Sequence, residues 1–150
     1  MSNFTDQTEL DALDLFFTNV AAPNWGDAGG LLPSAAAGTL GIGCHTGDAL
    51  SDTSTSQAAS EASYTGYARQ TVSRDTSGWT VASGNVDNDA AIIFGEMTAG
   101  GPITITDVGI GFASSGVGYL HIWGQVTSDL VVNDGVNPQY AAGALDISLN

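Results

Sequence analysis

The chain has 150 residues and a formal net charge of −14, because sixteen acidic side chains stand against two basic ones, Arg69 and Arg74, with no lysine. Nucleic acids and anionic lipid surfaces are bound largely through lysine and arginine, so this charge predicts neither a nucleic-acid nor a membrane partner. The length suits a single core, and one cysteine, Cys44, excludes an internal disulfide scaffold.

The N-terminal region has the pattern of one amphipathic helix followed by an arm. Apolar side chains recur at spacings of three and four residues at Leu10, Leu13, Phe16 and Phe17. This spacing, behind acidic residues suited to a helix start, predicts a helix over residues 6–19. Residues 20–38 contain two prolines and little periodicity, which predicts a loop that packs as an arm through Trp25.

The beginning of the chain has neither the basic nor the apolar segment of a secretory signal peptide. No apolar run reaches the roughly eighteen residues of a membrane-spanning helix. We therefore expect a protein without a signal peptide or a membrane span.

The rest of the chain is typical of short β-strands, because β-branched residues alternate with glycine-rich turns. Strands are predicted at 40–45, 64–72, 79–81, 90–94, 103–112, 119–127, 130–132 and 140–149. In the strand 40–45, Cys44 faces the core. In the strand 119–127, Tyr119, His121 and Trp123 share one face. Residues 47–63 have no apolar face, which predicts an exposed, mobile loop or one ordered by a partner.

These elements predict a mainly β fold, a jelly-roll-like antiparallel β-sandwich with one N-terminal amphipathic helix and arm. We divide the chain into the helix and arm at 1–38 and the sandwich domain at 39–150. Eight short strands in a chain of this length favour two packed sheets over a helical bundle.

Candidate chemistry is sparse along the chain. The oxygens at 85–89 and Glu96 have the spacing of a calcium loop, but Ala90 replaces the required glycine, so a polar turn before a strand is the better interpretation. Cys44 and His45 are strand neighbours that point to opposite faces and cannot form a catalytic pair. His121 fits a core or interface histidine better than a catalytic one. We expect no enzyme activity, no metal and no cofactor.

Arg69 is one of only two cations among sixteen anions. We expect it to be well paired, most simply with a nearby aspartate, in a structural or interfacial role.

Five segments together resemble a known family. They are Gly-Tyr-Ala-Arg-Gln at 66–70, Asn-Asp-Ala-Ala-Ile-Ile-Phe at 88–94, Thr-Asp-Val-Gly-Ile-Gly at 106–111, Leu-His-Ile-Trp-Gly at 120–124 and Ala-Ala-Gly-Ala-Leu-Asp-Ile at 141–147. With the N-terminal helix, this order resembles a family of small tailed-bacteriophage virion proteins, often labelled tail-fibre proteins and related to capsid decoration or cement proteins. The resemblance extends from Leu10 to Leu149.

The resemblance implies a structural virion protein without an active site, made in the host cytoplasm. Our first hypothesis is a decoration protein that binds the major capsid protein shell at the outer capsid surface and stabilises it, as a homo-oligomer and by analogy a trimer. Its partner-binding residues would be Leu10, Leu13, Phe16, Phe17, Trp25 and Arg69. The alternative for the apolar residues among them is burial against the protein's own sheets. The alternative is a tail-fibre or receptor-binding module that recognises a host surface glycan with aromatic residues such as Tyr64, Tyr67, Trp79 or Tyr140.

Overall fold

A computed structural model describes residues 4–26 and 30–149. In chain order, this part of the protein contains α1 Asp6–Leu13, β1 Thr39–Thr46, β2 Gln70–Ser73, β3 Trp79–Ala82, β4 Asn85–Asn88, β5 Ile92–Ile93, β6 Ile103–Gly111, β7 Leu120–Val132, β8 Gln139–Tyr140 and β9 Ile147–Ser148. With 38% strand and 9% helix, the predicted mainly β, antiparallel fold with one N-terminal helix is confirmed, and it is consistent with a β-sandwich. Within the described residues, no helix has the length and apolar character that a membrane span requires.

The chain forms two compact units. Unit 1 contains the described residues of Met1–Thr39, Ser73–Ala91 and Tyr140–Asn150, and unit 2 contains Leu40–Val72 and Ile92–Gln139. The N-terminal segment therefore shares its unit with two segments from later in the chain.

The helix in unit 1 closely follows its prediction. The side chain of Thr5 caps its N-terminus by accepting from the backbone N–H of Thr8. A π-helical turn, Asp14–Thr18, extends α1, and the left-handed conformation of Asn19 ends it. The four-residue spacing of Leu13 and Phe17 places both side chains in the core of unit 1.

Arg74 secures the C-terminal end of this helix. Its Nε donates to the carbonyl oxygen of Phe16 at 2.7 Å, and its Nη2 donates to that of Leu15 at 2.6 Å. Nη1 also donates to the hydroxyl of Ser34 in the arm at 3.2 Å. The last carbonyls of a helix lack intrahelical donors and carry a partial negative charge, so a guanidinium satisfies both needs.

The sheet of unit 1 has the order β3-β4-β9. Its middle strand, β4, corrects the predicted polar turn at 85–89. Ser83 and Gly84 both have positive φ, which allows a tight hairpin that pairs Ala82 with Asn85. Val86 and Asn88 then point inward, and the Asn88 amide bonds to the backbone of Ala90, Ala141 and Leu145. The strand is not evident from the sequence, because Asn88 faces inward and its amide finds hydrogen-bond partners only in the folded chain.

The sheet of unit 2 has the order β2-β1-β6-β7, with antiparallel pairing between β1 and β6 and between β6 and β7. The predicted strands 119–127 and 130–132 form the single strand β7, whose register against β6 shifts between Gln125 and Leu130. Only the end of the predicted strand 64–72 forms β2, because the chain turns at Gly66, which has a φ of 107°. The predicted last strand, 140–149, contributes only to the short strands β8 and β9.

Candidate functional site

The predicted partner-binding residues lie in different environments. Leu13 and Phe17 are 2% and 0% exposed, and the ring of Phe17 packs edge-on against Trp79 with centroids 4.8 Å apart. These two side chains therefore form core rather than surface. Leu10, Phe16 and Trp25 are partly exposed in unit 1.

Arg69 is buried in unit 2, where it joins several segments. Its Nε and Nη2 donate to the two carboxylate oxygens of Glu61 at 2.6 and 2.7 Å. The same guanidinium donates to the carbonyl oxygens of Ala113 and Gly116 at 3.2 and 2.8 Å. The predicted pairing is present, with a glutamate in place of the expected aspartate. Because the side chain is 1% exposed, its role in this chain is structural.

Tyr67 forms a hydrogen bond with the glutamate of this ion pair. Its hydroxyl donates to Glu61 Oε1 at 3.0 Å and accepts from the backbone N–H of Cys44 in β1 at 3.0 Å. Burial is the main reason why the pKa of Tyr67 is raised, so the phenol stays protonated and keeps donating at any physiological pH.

The segment 47–63 lies against the sheet of unit 2 through a few buried side chains, although most of its residues are exposed as predicted. Gln57 is 1% exposed, and its side chain donates to the carbonyl of Gly41 and accepts from the backbone N–H of Ala113. It lies over Gly111, where a Cβ would collide with it. The glycines that alternate with apolar residues in β1 and β6 therefore make room for buried side chains, and both faces of β1 are covered.

His45 occupies the same glycine-lined face. It is 0% exposed, its Nδ1 lies 2.8 Å from the carbonyl oxygen of Ala59, and its Nε2 faces Gly109 without a hydrogen-bond partner among the described residues. Asp107 is its cross-strand neighbour and is also buried, accepting from the hydroxyl of Thr106. Burial lowers the pKa of His45, against the opposing effects of Ala59, Glu61 and Asp107. The imidazole is therefore neutral at pH 7.

The exposed aromatic side chains of unit 2 gather at the start of β7. Tyr119 is 62% exposed, and its ring lies 4.9 Å from that of His121. Phe112, 47% exposed, approaches the other side of His121 at 4.9 Å with a nearly perpendicular ring. The alternation predicted from the sequence is confirmed, since Leu120 on the opposite face is 4% exposed.

A cavity of about 270 Å³ adjoins these rings. Its lining residues come from the 51–54 turn and from the beginning of β7, and they are Ser51, Asp52, Ser54, Tyr119, Leu120, His121 and Trp123. The lining combines aromatic rings with hydroxyls and one carboxylate.

The aromatic residues named in the sequence hypothesis lie elsewhere. Trp79 and Tyr64 are buried at 1% and 8% exposure, and the hydroxyl of Tyr67 is engaged by Glu61. None of these side chains lines the cavity. The alternation at 119–123 predicts that Tyr119, His121 and Trp123 share one face, but sequence spacing does not reveal that the 51–54 turn lies beside it.

Metal ligands do not cluster in the part of the chain that the structure describes, where no group of three or more His, Cys, Asp and Glu side chains is placed to hold an ion. The residues with calcium-like spacing include Asn88, whose amide is used in the backbone contacts of β4.

Comparison with protein families identifies the family of the chain. Residues 3–148 match the family model Gp80, described as podophage GP4 fiber I protein gp80. Because the match covers nearly the whole sequence, the chain belongs to this family of tailed-phage virion proteins. A search of curated proteins found no match.

Proposed function

We propose that this member of the Gp80 family is a non-enzymatic fiber component of a tailed-phage virion that contacts the host cell surface. The observation that carries the proposal is the family match over residues 3–148, since the family is described as a fiber protein. This choice favours the fiber alternative over our first hypothesis, the capsid decoration protein.

The distribution of side chains in unit 2 supports binding as the main activity. Two polar side chains, Arg69 and Gln57, are buried and bond to the backbone, and Arg69 also pairs with Glu61, so they hold the unit together. The aromatic side chains Tyr119 and Phe112 are instead partly exposed on the two sides of His121, where they present apolar ring surface that a partner can cover. Exposed rings on a rigid sheet are suited to recognition of a surface.

Two of the residues proposed for docking on the capsid shell are buried. Leu13 and Phe17 are core residues of unit 1, in agreement with the alternative that they pack inside the protein itself. A shell contact would have to use other side chains. Binding to the major capsid protein and assembly as a trimer stay predictions.

Copy number separates the two functions. Purified virions are analysed by quantitative mass spectrometry, with the chain measured against the major capsid protein. A fiber component occurs at a small fraction of the number of shell subunits, because fibers attach at the single tail. A decoration protein occurs at a copy number comparable with that of the shell subunits, and this result would contradict the proposal.

A further inference from the structure

The cavity beside β7 contains one carboxylate, that of Asp52, in a lining that is otherwise uncharged. Asp52 is exposed in the 51–54 turn, and the rest of the lining consists of serine, leucine and aromatic side chains together with His121. Burial lowers the pKa of His121, so its imidazole is neutral at pH 7 and adds no positive charge. Within the described residues, no cation or hydrogen-bond donor engages the Asp52 carboxylate. The cavity therefore presents a negative charge that a ligand can neutralise.

The other charges of unit 2 also favour a cationic ligand. The unit contains seven acidic side chains and a single arginine, Arg69, whose side chain is 1% exposed and paired with Glu61. No exposed cation of the unit therefore competes for Asp52. A surface of one sign attracts ligands of the opposite sign, so this unit attracts cations and repels anions.

The aromatic wall suits a cation as well. The face of an aromatic ring carries negative electrostatic potential and attracts a cation placed over it, and tryptophan does so most strongly. Trp123 and Tyr119 both line the cavity, but the ring of Tyr119 already packs against that of His121 at 4.9 Å. Trp123 is therefore the better partner for a cation.

A guanidinium group fits this combination better than an ammonium group does. It is flat and weakly hydrated, so its face can stack on a ring while the N–H groups at its edge donate to a carboxylate. A lysine ammonium is a compact, strongly hydrated charge that cannot make both contacts in this way. The volume of about 270 Å³ lies just below the range of about 300–1,000 Å³ typical of drug-sized ligands, which suits a single side chain.

The carboxylate is held beside β7 before any ligand arrives. Ser54 N–H donates to the carbonyl of Ser51 at 2.8 Å, and Ser51 N–H donates to the hydroxyl of Ser54 at 3.0 Å. These two bonds close the turn that contains Asp52. Leu120 N–H donates to the carbonyl of Thr55 at 3.0 Å, which joins the turn to the strand. Binding therefore costs little ordering of the backbone.

We infer that this cavity receives the guanidinium group of an arginine side chain from a partner protein, paired with the carboxylate of Asp52 and stacked on the ring of Trp123. One such contact is weak, because an exposed ion pair and a single cation–π contact each contribute little. It acts as a specific contact point within a larger interface.

The experiment follows the isotope-labelled 150-residue chain by NMR at pH 7 and low salt while ethylguanidinium chloride is added. Ethylurea, a neutral molecule of similar shape, and acetate are the control probes. We expect shifts of the Trp123 indole N–H and of the backbone amides of residues 51–54, with a dissociation constant on the order of millimolar. The indole N–H of Trp25, which lies outside the cavity, should not shift. Ethylurea and acetate should cause little or no shift.

Matched variants separate the local carboxylate from the net charge. Asp52→Asn should weaken the binding of ethylguanidinium at least about threefold. Asp129→Asn removes the same charge from an exposed position of β7 outside the cavity and should change the affinity much less. Trp123→Leu should also weaken binding at least about threefold, through loss of the ring. Because Asp52 is exposed, Asp52→Asn is expected to fold even if Trp123→Leu does not.

A blocked peptide tests whether a protein can supply the group. Acetyl-Gly-Arg-Gly-amide should bind at least as well as ethylguanidinium, and the same peptide with lysine in place of arginine should bind more weakly. Binding of ethylguanidinium without binding of the arginine peptide would overturn the assignment to a partner protein and indicate a small free cation instead.

Three further results would overturn the inference: no shift at the cavity with ethylguanidinium, equal shifts with ethylurea, or equal loss of affinity in Asp52→Asn and Asp129→Asn. The last would show attraction to the net charge alone. The purified chain binds or fails to bind the probes whatever its place in the virion, and the copy number reports that place whatever the chain binds. A failure of the guanidinium site is therefore distinguishable from a failure of the fiber proposal.

Discussion

Arg69 shows how a single cation organises an acidic chain. It pairs with Glu61 through two hydrogen bonds and also satisfies the carbonyls of Ala113 and Gly116. A planar guanidinium can donate hydrogen bonds to all of these acceptors at once, whereas a lysine ammonium cannot reproduce the bidentate contact with the carboxylate. The residue therefore links the segment before β2 to the loop that precedes the aromatic surface.

Replacing Arg69 should destabilise the protein strongly. Arg69→Met leaves the mostly buried Glu61 carboxylate without its partner, and we expect the free energy of unfolding to fall by about 3 kcal/mol. Chemical denaturation measures this loss. The double variant Arg69→Met with Glu61→Leu should recover part of it, because no charge is then left buried. A single variant as stable as the parent would contradict the structural role.

His45 predicts a specific dependence of stability on pH. Its pKa is lowered by burial in the folded protein, so below about pH 6.5 the unfolded chain takes up a proton that the folded chain does not. The free energy of unfolding should therefore fall as the pH drops below about 6.5, by at most about 1.4 kcal/mol per pH unit, until the folded pKa is passed.

Denaturation between pH 7.5 and 5.5 tests this, because the only side chains with ordinary pKa values in that window are the two histidines. His45→Gln should flatten the profile. His121→Gln is the matched control. Burial lowers the pKa of His121 as well, but this histidine is more exposed than His45, so the variant should keep most of the dependence of stability on pH. A slope that survives in His45→Gln would contradict the assignment.

At the level of elements, the segment 47–63 is the main difference between expectation and structure. Its sequence is rich in serine, threonine and alanine, and it has no periodic apolar face. Gln57 nevertheless anchors it by bonding with Gly41 and Ala113 across a face that glycines leave open. The segment in turn forms one wall of the cavity.

Gln57→Ala should therefore loosen this segment. The change leaves the carbonyl of Gly41 and the N–H of Ala113 without their side-chain partner, and we expect a loss of about 2–3 kcal/mol in the free energy of unfolding. Gln125→Ala, an exposed position on β7, is the matched control and should change stability by less than about 0.5 kcal/mol. Equal effects of the two changes would show that Gln57 is not an anchor.

The elements differ in how far they can be predicted from sequence. The helix at 6–19 and strands such as β1 and β6 follow from apolar periodicity, which acts locally. Strand β4 was predicted as a turn because Asn88 needs partners from distant parts of unit 1. The alternating glycines of β1 indicated a strand but not that Gln57 and His45 fill the space above them, since this depends on long-range contacts. The aromatic face of β7 was visible in the sequence, but the 51–54 wall was not.

For the molecule as a whole, the distribution of charge matters more than its sum. Both arginines are 7% exposed, and the chain has no lysine, so almost all accessible charge is negative. Such a surface discourages non-specific contact with nucleic acids, anionic lipids and other copies of the chain. Specific contact with an anionic partner then falls to uncharged features, and the exposed apolar side chains of unit 2 include Tyr119, Phe112, Val117 and Val131.

The position of the chain on the virion tests the fiber proposal most directly. Intact, purified virions are labelled with antibodies raised against the 150-residue chain and imaged by electron microscopy, with virions labelled by an unrelated antibody as the control. The proposal predicts label confined to the tail end of each particle. Label distributed over the capsid shell, or no label on virions that contain the other structural proteins, would contradict it.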